Sequence, residues 1–425
     1  MKEIKAGILV LFLFIGLFGS AQKINSPYSR YGLGNLHGKN VNTALKAMGG
    51  ISIAVWDPNI INPGNPASYG KFDSTSFLFE IGLVGNYTNH QTSFQTESST
   101  FATLSYILIG FPVTRWWRTS LGVLPFSKIG YKVKIFIPVE GFSNIVNDVS
   151  GDGGLNRFYW GNAFNVGKNL RLGIDATYLF GEATRSSHVY FPDSLLILGT
   201  KAQSKTRGAD FIFDYGIQYD FHFNKDRFLT LGLIYANTFY LRAKREYIAY
   251  SLIGGVDEDI ESLRDTIAYE PEEKGLVILP DRVGFGFMYA EKDRWLIGAD
   301  FEWQNWEKFE SFGQSDSLDN AWRISVGGQY IPKHTSISSL FKRMSYRLGV
   351  RYDKSYLSLL GHQIDEYGIS FGFGFPMKRS KTEIDLSFEI GQRGTMKNSL
   401  IQENFFNVTF GVSINESWFH KRKFR

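Results

Sequence analysis

The sequence contains no cysteine, so disulfide frameworks, thiolate nucleophiles and cysteine-ligated metals are excluded. Beyond its first residues it also lacks any stretch of eighteen apolar residues. The longest candidate, Phe101 to Val113, is short and carries Thr103 and Ser105, so no spanning helix is expected. The 7 histidines are scattered without a pair at ligand spacing, and neither a metal nor another cofactor is expected. Charge of one sign is scarce too: a net +5 over 425 residues gives no reason to expect a nucleic-acid partner. Catalytic constellations are missing. Ser68, in Gly64-Asn65-Pro66-Ala67-Ser68, has no base near it in sequence. The Gly-Phe-Gly-Phe runs at Gly284 and Gly372 alternate like strands instead of forming a phosphate loop before a helix. The chain does not read as an enzyme.

What is present begins at the N-terminus. Lys2 and Lys5 precede an apolar core from Ile8 to Phe18, and Gly19-Ser20-Ala21 supplies small residues for cleavage. Residues 1–21 therefore read as a secretory signal peptide, with the mature chain starting at Gln22. No cysteine stands at the cleavage site, so lipoprotein anchoring is not expected. Aromatic residues make up 16% of the chain, yet mean hydropathy is slightly polar at −0.16. A barrel reconciles the two by spreading aromatics over its outer face and girdles around a polar lumen.

From Ser76 onward the sequence alternates with a period of two, which sends successive side chains to opposite faces of a strand. Phe406, Val408, Phe410, Val412 and Ile414 alternate with Asn407, Thr409, Gly411 and Ser413. Phe211, Phe213, Tyr215, Ile217 and Tyr219 do so with Asp214, Gly216, Gln218 and Asp220. About fourteen such segments follow one another, starting near Ser76, Phe101, Thr119, Arg157, Leu170, Asp210, Phe228, Arg282, Arg294, Ala321, Ser345, Tyr367, Thr382 and Asn404. Short connections, such as Gly167 to Asn169 and Glu291 to Asp293, alternate with long ones, such as Glu140 to Asn156, Thr184 to Gly208 and Lys244 to Asp281. That asymmetry belongs to an outer-membrane barrel more than to a soluble β-sandwich. Pro332 to Arg343 breaks it, being long on the short side. The fold class is thus all-β, a transmembrane antiparallel β-barrel over residues 75–415 with a basic periplasmic tail at 416–425.

Residues 22–74 differ: they are rich in proline and glycine, with a short helical piece around Thr43 to Met48. Irregular backbone at membrane depth must be buried in protein, so this segment is expected as an N-terminal hatch, or plug, inside the lumen. Ala47-Met48-Gly49-Gly50, Asp57-Pro58 and Asn62-Pro63-Gly64-Asn65-Pro66-Ala67 resemble the hatch of the FadL-like outer-membrane proteins. With Asn25-Ser26-Pro27-Tyr28-Ser29-Arg30-Tyr31-Gly32 ahead and Trp418-Phe419 and Lys421-Arg422-Lys423 behind, the chain is similar to the branch found in Bacteroidetes-type bacteria. The resemblance implies a monomeric, plugged fourteen-stranded barrel that takes up hydrophobic or amphipathic compounds, with Asp57, Pro58, Asn62, Pro63, Asn65, Pro66 and Ala67 as hatch residues. It also implies a wall gap at the third strand. Pro125 is the candidate there, because proline cannot donate to the ladder; a harmless bend is the alternative.

The alternation turns Asp175, Asp214, Asp300, Glu302, Arg323, Arg347, Arg351, Glu383 and Asp385 into the lumen, as it does Arg171, Asp220 and Glu389. Such groups are expected to pair with one another and with the plug. A charged lumen fits a greasy ligand poorly, although the hatch and outer loops, with Phe142, Tyr190 and Phe191, could line a site. The first reading is an uptake channel for hydrophobic or amphipathic compounds; the alternative is a non-transporting scaffold or accessory subunit in an outer-membrane machine of type IX secretion or barrel assembly. A general porin fits less well, since a plug would block it. Expected partners are outer-membrane lipid, hydrophobic small molecules, or other outer-membrane or periplasmic proteins.

Overall fold

A computed structural model describes residues 26–36, 41–138, 145–192, 197–253, 262–316, 318–336, 338–378 and 380–418. The expected signal peptide, Phe142 and the basic run Lys421-Arg422-Lys423 lie outside the described residues. No described helix is long and apolar enough to cross a membrane.

The period-two alternation folds as β-strands that pair antiparallel, each with the next. They are β1 (Ser76–Gln91), β2 (Thr96–Pro112), β3 (Trp117–Ile137), β4 (Ile145–Val166), β5 (Leu170–Tyr190) and β6 (Gly199–His222). β7 consists of two pieces, Arg227–Ala236 and Phe239–Ile253, both paired with β6. β8 likewise consists of Ser262–Leu279 and Arg282–Glu291, each paired with the matching piece of β7. The ring continues through β9 (Trp295–Gln304), β10 (Ala321–Tyr330), β11 (Ser345–Leu359), β12 (His362–Pro376), β13 (Glu383–Arg393) and β14 (Gln402–Ser417). It closes where β14 pairs with β1, from Gln402 opposite Gln91 to Ser417 opposite Ser76. The result is a closed fourteen-stranded barrel.

The two faces separate by chemistry. Along β6, Phe211, Phe213, Tyr215, Ile217 and Tyr219 are exposed outward, while Gln218 and Asp220 are fully buried inside. The same exposed apolar band continues through Leu233, Phe285, Ile297, Ile324, Leu348, Ile369 and Phe406. A band of this extent is far larger than the apolar patches of water-soluble surfaces and matches a lipid-facing wall.

The strands run further than alternation alone suggests. Thr184 to Gly208 is not a loop: β5 continues to Tyr190 and β6 begins at Gly199. Lys244 to Asp281 is mostly a hairpin of β7 and β8, and only Leu360 and Gly361 separate β11 from β12. In these extensions charged and polar residues interrupt the alternation, and the apolar signal weakens to a few buried positions such as Leu252, Val277 and Leu279 while the backbone ladder persists. Glu182 with Arg207, Arg245 with Glu273 and Lys244 with Glu272 pair across strands there. The opposite end carries the short turns, with Ile331 to Met344 the exception.

Candidate functional site

Between the strands lies the N-terminal segment, and its local chemistry explains its shape. Asn42 caps a single helical turn, α1 (Thr43–Lys46), by accepting from Leu45 N at 3.0 Å. Gly49 and Gly50 then reverse the chain with φ of +68° and +78°. A side chain at Gly49 would also meet Val350 O at 2.8 Å, so only glycine fits. Two asparagines staple the following loop. Asn62 Nδ2 donates to Ser52 O and Val55 O at 2.7 and 2.8 Å, and Asn65 Nδ2 donates to Ile53 O at 2.6 Å. Their Oδ1 atoms accept from Gly64 N and Ala67 N, and Asn65 caps a 3-10 turn that opens at Pro66. Pro66 has no N–H to leave unsatisfied at that first position.

Apolar side chains bury this loop against the inner wall. Leu45, Met48, Ile51, Ile53, Val55 and Ile61 are at most 1% exposed. Their burial contributes roughly 10–20 kcal/mol before the ordering entropy is subtracted. The wall meets them with glycines: a Cβ on Gly327 or Gly349 would strike the Met48 backbone, one on Gly232 that of Ile53, and one on Gly173 that of Ala67. Contacts on β5, β7, β10 and β11 together place the segment inside the ring. It is at the same time pinned by charge. Asp300 on β9 accepts from Ser52 N and Ile53 N at 2.6 and 3.0 Å. Glu80 on β1, fully buried, accepts from Ile61 N at 2.6 Å and from Asn42 Nδ2 at 3.2 Å. Gly49 N donates to Ser370 Oγ on β12.

At the short-turn end the floor is aromatic and ionic. Trp56 stacks on Phe228 at 5.0 Å, donates its indole N–H to Thr230, and lies 4.2 Å from Lys71 Nζ. Lys71 and Arg171 share Asp220. Asp57 accepts from Asn59 N at 2.8 Å, and burial pushes its carboxyl up to about 6 despite that bond. Burial likewise lowers the Lys46 ammonium to about 8, with Glu389 opposing the shift, and Lys46 Nζ donates to Ser105 Oγ.

Residues 26–36 contact the strands at the extended end. Ser26 donates to Glu403 at 2.5 Å, Arg185 donates to Gly32 O and Arg393 to Asn35. Tyr356 donates to Gly34 O at 2.6 Å. Between these residues and the loop at 52–64 lies a cavity of about 300 Å³. Phe126, Trp303, Trp306 and Tyr356 line it, together with a dense ion network. Arg351 binds Asp353, Glu366 and Glu389; Arg323 binds Asp353; Arg282 binds Asp214. Nearer the short-turn end Arg347 binds Asp385 and Glu383. Of the charges read as luminal from the sequence, Asp175, Asp300, Arg347 and Asp385 are buried. Asp214 and Glu302, both facing Arg282, line the cavity with Arg323 and Arg351, whereas Asp300 serves the N-terminal segment and Asp175 faces Tyr69. Pro63 also lines the cavity; Asp57 and Pro58 lie at the floor and take no part in it. Glu80 escaped the sequence reading. Its signal was there: a lone carboxylate at inward parity in the otherwise apolar run Phe77 to Val84.

The wall beside the cavity is parted. β2 and β3 pair only from Ile107 opposite Val123 to Pro112 opposite Arg118. Across β3, the seam with β4 runs the whole length, with a bulge between Pro125 and Ser127. Where β2 departs, the N-terminal segment takes its place: Asn35 and Leu36 pair with Lys128 and Ser127, and Ser26 N donates to Gly130 O.

Comparison with known proteins places this geometry. A family model described as BamG matches residues 2–425. None of the curated proteins matches the chain by sequence. Among solved structures, the toluene transporter TodX of Pseudomonas putida superposes with a TM-score of 0.59 at 15% identity, covering 92% of this chain and 100% of that one. A FadL homologue of Pseudomonas aeruginosa gives 0.58 at 13% identity, with 89% and 98% covered. The toluene transporter TbuX of Ralstonia pickettii gives 0.56 at 13%, with 90% and 99% covered. These likenesses show a shared barrel fold.

Proposed function

The chain belongs to the BamG family, and from that premise we propose that it is an integral outer-membrane barrel serving as an accessory subunit of a barrel-assembly machine, with no flow along its axis. The observation that carries this is the filled lumen. Residues 41–72 work as a hatch, bound by Glu80, Asp300 and Ser370 on three separated strands, and residues 26–36 close the other end. Opening an axial path would break these bonds together and expose the apolar side chains they bury. The cavity that is left is walled by paired charges, which a hydrocarbon would have to desolvate. A cylinder filled along its axis, with long outer strand extensions, suits docking better than axial conduction. Affinity isolation from native outer membranes, in mild detergent, tests this. Stoichiometric outer-membrane or periplasmic partners support a subunit; a barrel that elutes alone with bound hydrophobic compounds sinks the reading.

One observation favours a second reading, uptake of an amphipathic compound. The cavity reaches Phe126 and Leu36, directly behind the parted β2–β3 wall. Its lining sets Arg157, Arg282, Arg323, Arg351, Lys354 and Arg393 against Asp214, Glu302, Asp353 and Glu366, a cationic excess. An amphipathic anion would seat its charge there and leave sideways past Pro125, much as the resemblance to FadL-like proteins implies. In this reading Pro125 is the wall gap, and residues 26–36 are its gate. Accumulation of a hydrophobic carboxylate by cells with and without the protein decides it.

A further inference from the structure

The long connection at the short-turn end, Ile331 to Met344, serves neither reading of the lumen. It does not fold beneath the barrel mouth. Ser345 and Arg347 are buried inward, so Tyr346 between them points out, and its hydroxyl donates to Phe341 O at 3.0 Å. The connection is thereby held against the outer wall. There a single helical turn, α2 (Leu340–Arg343), leaves Leu340 and Phe341 exposed at 42% and 73%. Lys333 and Lys342 are exposed beside them, tied by a bond from Lys333 N to Lys342 O at 2.7 Å.

Directly above this turn the wall is hollow. Outward residues of β9, β10 and β11 lie in rows: Trp295–Tyr330–Tyr346, then Ile297–Gly328–Leu348, then Ala299–Val326–Val350. Gly328 contributes no side chain to its row, and a groove of about 520 Å³ opens between Ile297 and Leu348. Its lining is almost wholly apolar, and Tyr330 and Tyr346 close its lower end. From the membrane outward the order is aliphatic groove, aromatic row, then lysines.

We infer that this groove and turn bind one phospholipid of the periplasmic leaflet, with an acidic headgroup. The acyl chain lies over Gly328, the ester region meets the aromatic row, and the phosphate is met by Lys333 and Lys342. Charge complementarity selects this occupant: two exposed ammonium groups at headgroup depth favour a net negative head over a zwitterionic one. Leu340 and Phe341 sink into the interface beside it and hold the turn there. The inference rests on the outer-membrane reading, and not on whether the lumen conducts.

The full chain is reconstituted in nanodiscs of mixed phosphatidylglycerol and phosphatidylcholine, and retained lipids are counted by native mass spectrometry. One phosphatidylglycerol is expected to stay bound in preference to phosphatidylcholine. Lys333→Gln with Lys342→Gln should weaken that preference about thirtyfold. Leu348→Trp, at an outward position that needs no repacking of the lumen, should expel both lipids from the groove. Heat-modifiable migration on gels verifies that each variant is a folded barrel. Equal retention of the two lipids by the unmodified protein, or full retention by either variant, overturns the inference. So does a photo-crosslinker at Phe341 that captures a protein in native membranes and no lipid. Failure of the barrel to enter nanodiscs at all would instead overturn the outer-membrane reading.

Discussion

Replacing Asp300 by alanine removes a carboxylate that receives two consecutive amides of the N-terminal segment. Ser52 N and Ile53 N donate to it at 2.6 and 3.0 Å, and Asp300 is 4% exposed, so water does not readily take its place. A hydrogen bond to a charged group contributes about 1.5–3 kcal/mol, which gives ~3–6 kcal/mol for the pair. Local opening of residues 51–55 should therefore become roughly 10²- to 10⁴-fold more populated, at 1.4 kcal/mol per tenfold. Hydrogen exchange on the detergent-solubilised barrel reads this directly, through the protection of peptides spanning Ile51 to Val55. Strand peptides from β12 and β13 act as the internal control, because nothing in the substitution touches them. Asp300→Asn keeps an acceptor and should recover part of the protection. If Asp300→Ala leaves protection in residues 51–55 within a factor of three of the unmodified protein, the carboxylate does not anchor the segment and the argument from it fails.

Three further outcomes are expected. Asp57 has a carboxyl raised to about 6, so the folded state holds its proton more tightly than the unfolded chain; its contribution is present in acid and is lost as pH rises from about 4 through 6. Asp57→Asn should flatten the pH dependence of exchange protection in residues 41–72 over that window, by ~3 kcal/mol at most, since Asp57 keeps partial exposure. Gly49→Ala puts a Cβ against Val350 O at a φ of +68° and should destabilise the segment by about 1–3 kcal/mol, seen as faster exchange around Met48 to Ile51. Pro125→Ala restores a ladder donor beside the parted seam; uptake of a hydrophobic probe should fall if the lateral exit operates, and unchanged uptake discards that exit.

The belt of the barrel was legible in the sequence because one rule governs it. Every strand that crosses the apolar band must alternate, so Phe211 to Tyr219 and Phe406 to Ile414 declare both their conformation and their facing. Above the band that rule lapses. Glu182, Arg207, Glu273 and their neighbours crowd charge onto strands with few apolar positions, where register is held by backbone bonds and cross-strand ion pairs more than by a hydrophobic period; the extensions therefore read as loops. The lumen shows the same division. Inward charges could be listed from parity, but their partners are set by strand order: Arg347 meets Asp385 and Glu383 from two strands away, across β12. No spacing in sequence encodes that distance. Glu80 and Ser370 were missed because each has meaning only through an amide of the N-terminal segment, and the path of that segment is decided by glycines on the wall, such as Gly232, Gly327 and Gly349, that make room for it.

Conductance across a planar bilayer tests the sealed lumen most directly. The purified full-length protein, inserted from detergent, should pass no sustained ionic current at moderate voltage, and deletion of residues 26–72 should open a stable pore. A large, steady conductance from the intact chain would contradict the sealed barrel, and with it the case for a docking subunit.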